Sequence, residues 1–140
     1  MVVTAISSLG TVLRKEGAVI ADVKGISGPA LTRDLADVTA LDSVDGFEEV
    51  LPTILRTGDV TFSLAFNPDD GQHLALRDDV VTASGKNFEI EFPPTAASGT
   101  VQTHAFEAFV TNYTNQIETG SEITADVTLK PMSTITVTTA

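Results

Sequence analysis

The chain has 140 residues, with 19 Asp and Glu against 8 Lys and Arg, giving a formal net charge of −11. With 42% hydrophobic and only 19% charged residues it has a globular composition, sized for one domain that buries about two thirds of its unfolded surface. The absence of cysteine excludes disulfides and thiolate-bound metal, and the acidity opposes binding to nucleic acid phosphates or anionic lipid. No apolar run approaches a membrane span. Arg14 and Lys15 follow the first apolar residues instead of preceding them, so neither a transmembrane helix nor a secretory signal is expected.

Residues 1–16 read as an N-terminal arm carrying Val2, Val3, Ile6 and Leu9. Gly17–Ser27 alternates with period two and is expected as a strand, ended by Gly28-Pro29. A second short strand fits Leu35–Asp42. From Asp42 to Arg56 the apolar residues Phe47, Val50, Leu51, Ile54 and Leu55 have helical spacing, yet Pro52 would break a helix there. A long apolar loop is uncommon without a task; it either folds over the domain's own core or awaits a partner.

The clearest strand is Thr57–Asn67. Val60, Phe62, Leu64 and Phe66 share one face, while Asp59, Thr61, Ser63 and Ala65 share the other. Asn67-Pro68-Asp69-Asp70-Gly71 is turn chemistry, with Asp69 or Asp70 available to cap a helix from about Asp70 to Ala83. That helix would face the sheet through His73, Leu76, Val80 and Ala83, with Gly85 as its stop. Strands follow at Asn87–Phe92, Val101–Asn112 and Glu122–Leu129, and a short one at Thr134–Thr138. One helix among about seven strands describes a mainly β fold, a β-sandwich or half-barrel with one flanking helix.

Catalytic and metal constellations are missing. His73 and His104 form no ligand pattern; His73 reads as packed at the helix–sheet boundary and His104 as a surface or interface residue. Gly25-Ile26-Ser27-Gly28 is one residue short of a nucleophile elbow, and Gly85-Lys86 has Val80 where a phosphate-binding loop needs glycine. The acids beside Gly71 lack the alternation of a calcium loop. Asn112-Tyr113-Thr114 fits a glycosylation triplet, without a sign of secretion. Seven Phe and one Tyr offer little stacking surface for bases or sugars. No enzyme, cofactor or metal site is expected.

The ordered segments Ile26–Pro29 (Ile-Ser-Gly-Pro), Leu31–Asp34 (Leu-Thr-Arg-Asp), Asp42-Ser43, Asp45-Gly46-Phe47, Leu51-Pro52 and Gly58-Asp59-Val60 form a recognisable set. In this order they resemble the major tail tube proteins of long, non-contractile (siphovirus-type) bacteriophage tails. The resemblance thins before Gly10 and after about Pro131. It implies the phage tail tube fold, six copies of which close into a ring; rings stack into a hollow conduit and their inner sheets merge into a β-barrel. It leaves no room for a C-terminal immunoglobulin-like domain within the chain.

On that basis the 42–56 loop is expected to contact the adjacent ring through Phe47, Val50, Leu51, Ile54 and Leu55, with the N-terminal arm as a second contact. Asp59, Thr61, Ser63, Glu107, Asp126 and Thr128 are expected to face the lumen, where acids would let DNA pass without specific binding. Implied partners are other copies of the chain and the tape-measure, tail-tip and tail-terminator proteins, without a membrane. The implied location is the virion tail, assembled in the host bacterial cytoplasm. The alternatives are an acidic β-sandwich binding or decoration module and a type VI secretion-like tube subunit.

Overall fold

The computed structural model describes residues 6–42, 44–96, 98–132 and 134–140. Its elements are β1 (Val12–Lys15), β2 (Ala18–Val19), β3 (Val23–Ser27), β4 (Leu31–Asp37), β5 (Val50–Thr57), β6 (Val60–Ala65), α1 (Gly71–Thr82), β7 (Lys86–Glu91), β8 (Gln102–Gln116), β9 (Thr124–Pro131) and β10 (Thr136–Thr139). The main antiparallel sheet runs β2-β1-β7-β8-β9-β6-β3, with β10 on β8; β4 and β5 form a separate hairpin.

Alternation determines the core. Val60, Phe62 and Leu64 of β6 and Ala125, Val127 and Leu129 of β9 are buried, as are Phe88, Ile90, Phe106, Ala108 and Val110 of β7 and β8. Leu13 of β1 joins the same cluster from the far side of the sheet. Val23 and Ile26 of β3 line one groove with Ile90 of β7, although the two strands lie four places apart in the sheet, so the sheet curls over its core. Register shifts at Val110/Asn112 in β8 and at Val23/Gly25 in β3 are where such curvature enters. This is the mainly β architecture with one flanking helix expected from the period-two pattern.

Helix α1 closes the core over β8 with Leu76, which is fully buried. Asp70 caps it, its Oδ1 accepting the Gln72 amide at 2.9 Å. The helix ends on Ala83 in the left-handed region (φ 53°), not on Gly85 as expected, and Ala83 is exposed. His73 is fully buried at the helix–sheet boundary. Its Nδ1 accepts from the Asn67 amide at 3.1 Å and its Nε2 donates to the Ala21 carbonyl at 2.8 Å, both bonds being met by one neutral tautomer.

Several boundaries differ from the periodic reading: the strand expected at Leu35–Asp42 is β4 at Leu31–Asp37, and β8 runs on to Gln116 instead of ending at Asn112. Gly17–Ser27 is two strands, because Asp22 takes a positive φ of 59° and turns the chain between them. The stretch 1–16 is not wholly an arm: its last residues are β1, with Leu13 in the core. The segment 42–56 is loop only over its first half, and from Val50 onward it is β5, paired with β4 along its length. Pro52 fits there because, among the described residues, β5 pairs with β4 alone, which leaves its other edge open.

Strand β1 is held to α1 by an ion pair between Lys15 and Asp79, each 6% exposed. Removing one partner leaves a buried charge, which costs more than the pair itself contributes. Lys15→Met is therefore expected to destabilise the subunit by about 3–5 kcal/mol in urea unfolding, and Lys15→Met/Asp79→Leu to regain most of that loss.

Candidate assembly surfaces

The solvent face of the main sheet is polar across four strands. Ser27, Thr61 and Thr128 are register partners in turn across β3, β6 and β9, and Thr128 pairs with Asn112 of β8. The neighbouring row is Gly25, Ser63, Asp126 and Thr114. Directly opposed residues point to one face, so these two rows form a continuous patch of hydroxyls, amides and one carboxylate. The Thr114 hydroxyl donates to Asn112 Oδ1 at 3.0 Å along its rim.

Four of the six expected lumen residues, Thr61, Ser63, Asp126 and Thr128, thus lie together. Asp59 sits just before β6, with Lys130 Nζ 3.9 Å from its carboxylate, so its charge is partly offset within the subunit. Glu107 stands apart: it pairs with Asn87 of β7, on the other side of the β8 register shift. Ser27, Asn112 and Thr114 were missed by sequence reasoning. Asn112 and Thr114 follow a bulge that the alternation does not announce.

The β4–β5 hairpin leaves the sheet through two close chain crossings. Gly28 (φ 103°) passes so near that an added Cβ would lie 2.9 Å from the Asp59 carbonyl oxygen. At Gly58 an added Cβ would lie 2.8 Å from the Ala30 Cβ, and the Gly58 amide donates to the Ala30 carbonyl at 2.7 Å. Both glycines are where they are because no side chain fits. Beyond this root Leu31, Leu35, Leu51, Ile54 and Leu55 are about half or more exposed, and Leu41, Val44 and Phe47 at the tip more so. Near the tip, hydrogen bonds from Thr39, its hydroxyl first and then its amide, hold the Asp37 carboxyl below its usual range.

Ile6, Leu9 and Gly10 line a groove of about 740 Å³ with Val23, Ile26, Ile90, Phe92 and Pro93. Val2 and Val3 lie outside the described residues. Among the described residues no group of acids and histidines is arranged to hold a metal, and no helix is long and apolar enough to cross a membrane. His104 lies edge-on to Phe92, with ring centroids 5.0 Å apart, and is half-buried.

A curled sheet, one closing helix and a projecting hairpin make a mainly β subunit. Residues 11–138 match the family model of the lambda phage tail tube protein, and the chain belongs to that family of structural tail subunits. Solved structures of the same fold include a chain of the gene transfer agent virion, 14% identical with a TM-score of 0.77, covering 96% of this chain and 99% of that one. A chain from the anti-feeding prophage tube-terminating cap is similar at 16% identity and a TM-score of 0.77, over 100% of this chain and 95% of that one. The SPP1 tail tube protein is similar at 8% identity and a TM-score of 0.70, over 97% and 80%. No curated protein sequence matches the chain.

Two outcomes follow from the hairpin's geometry. Gly28→Ala is expected to cost more than about 1 kcal/mol, since it adds a Cβ at positive φ, and to speed amide exchange in β4 and β5. The Asp37 carboxyl has a depressed folded-state pKa, so its contribution is present at neutral pH and lost as pH falls. The Thr39 amide resonance is expected to titrate with a midpoint below the ordinary value of 3.8.

Proposed function

We propose that six copies of this chain close into a ring, that rings stack head to tail into a hollow tube, and that the polar patch of β3, β6, β9 and β8 lines its channel. The observation that carries this reading is the surface left open by folding. The chain exposes 9083 Å², where a compact monomer of its mass exposes about 7,000 Å². The surplus exceeds the roughly 800 Å² that a standard protein–protein interface takes from each partner.

Within such a ring the sheet ends at β2 and β3 pair with neighbouring copies, merging the sheets into one barrel and removing the open edges. A contact that closes laterally and repeats axially generates a tube. The hairpin, with Phe47, Val50, Ile54 and Leu55, reaches the adjacent ring, and residues 6–11 add a second contact. Asp59, Thr61, Ser63, Asp126 and Thr128 face the lumen. One carboxylate at Asp126 per copy, repeated around each ring, repels DNA over roughly the 8 Å screening distance of physiological salt, so the genome slides without sticking.

The role is structural, with no catalytic step. The tube works with tape-measure, tail-tip and tail-terminator proteins, assembles in the host cytoplasm and resides in the virion tail.

Negative-stain microscopy of the purified protein over a concentration series, with and without the tail-tip complex, tests the assembly; hollow six-fold tubes are expected. Tails carrying Asp126→Lys are expected to assemble yet deliver DNA more slowly, while Glu107→Lys leaves delivery near wild type. Unchanged delivery by assembled Asp126→Lys tails would overturn the lumen assignment.

A further inference from the structure

The hairpin has two unequal faces. In β4 the alternation is unbroken, so Leu31, Arg33, Leu35 and Asp37 point one way, and their register partners on β5 are Thr57, Leu55, Pro52 and Val50. The extra residue lies in β5, where Leu55 and Pro52 are three positions apart but their partners Arg33 and Leu35 only two. The bulge therefore brings Pro52 and Val50 onto the same face as Leu55. Without it they would fall on opposite sides, as a strict period of two would have them.

The result is a stripe of Leu31, Leu35, Val50, Pro52 and Leu55 on one face. The opposite face holds Thr32, Ala36 and Leu51 with the Asp34–Arg56 ion pair, Arg56 Nε lying 2.7 Å from Asp34 Oδ2. Leu31 and Leu35 of the stripe are 61% and 62% exposed, while Asp34 and Ala36 opposite them are only half-exposed. Leu51 on the opposite face is 54% exposed, so the two faces differ in apolar content and not in openness.

We infer that the hairpin docks on a second copy of this chain through the Leu31–Leu35–Val50–Pro52–Leu55 face alone, with the Asp34–Arg56 face left toward water. The inference rests on the tube-subunit reading and adds to it a face. Three observations favour another copy as occupant. A two-stranded hairpin without a third strand is at best marginally stable in water, and β4 and β5 pair only with each other. The surplus surface of the subunit exceeds the roughly 800 Å² that a standard contact takes from each partner. Arg33, the cation on the stripe, has no carboxylate in ion-pair range among the described residues, and a copy with 19 acids supplies one. Leu51, expected from its spacing to share the contact with Leu55, falls on the other face.

The test compares Leu35→Asp and Leu55→Asp with Leu51→Asp in the full chain, following tube formation by light scattering and electron microscopy. None of the three side chains lies in the core, so each variant is expected to keep the wild-type circular dichroism spectrum and thermal midpoint. A buried unpaired carboxylate should raise the concentration needed for tubes on the order of 100-fold or abolish them for Leu35→Asp and Leu55→Asp. Leu51→Asp should stay within about threefold of wild type. If wild type forms tubes and Leu51→Asp blocks them as strongly as Leu55→Asp, the face assignment is overturned while the tube reading stands. If wild type forms no tubes even when seeded by the tail-tip complex, the tube reading fails and this inference with it.

Discussion

Burial of one face of a single curled sheet organises the rest of this subunit. Phe62, Leu64, Val127, Leu129, Phe88, Ile90 and Leu13 reach the same core from strands at both sides of the sheet, and Leu76 of α1 closes it. Each such side chain contributes about 1.5–3 kcal/mol when fully buried. Because side chains alternate, burying one face obliges the other to face outward. The outward face here is almost free of large apolar groups where β3, β6, β9 and β8 lie side by side. Folding and the polar surface left outside are therefore decided together along each strand.

The hairpin obeys the opposite logic. It leaves the sheet at Gly28 and returns at Gly58, where chain crossings are too tight for a side chain, and beyond that point it has no core of its own. Its apolar residues keep about half or more of their surface exposed in the subunit, where the core residues of the sheet keep almost none.

Charge fits the same division. Most of the basic residues are committed within the subunit: Lys15 to Asp79 in the interior, Arg14 to Glu91, Lys24 to Glu122, Arg56 to Asp34, and Lys130 near Asp59. The acids outnumber them and remain in excess at the surface. The excess of acids leaves a surface that repels phosphates and does not hold them.

Much was legible in the residues. The strong alternation of Thr57–Asn67 and Glu122–Leu129, the Asp70 cap and the place of His73 all follow from local chemistry that tertiary structure did not override. The family pattern was legible too, since Ile-Ser-Gly-Pro and Gly-Asp-Val mark the two tight crossings of the hairpin root. What tertiary structure alone decided are the places where alternation breaks. The turn at Asp22, the bulge in β8 that brings Asn112 and Thr114 onto the polar patch, and the bulge in β5 that separates Leu51 from Leu55 leave no period in the sequence. A bulge costs one residue of register and is set by the partner strand, and the identity of that partner is a long-range fact. Glu107 shows the same limit: its alternation is correct, but only the sheet order places it beside β7, away from Asp126. A sequence can specify which side of a strand is wet. Which strand lies next to it is settled by packing across the whole core.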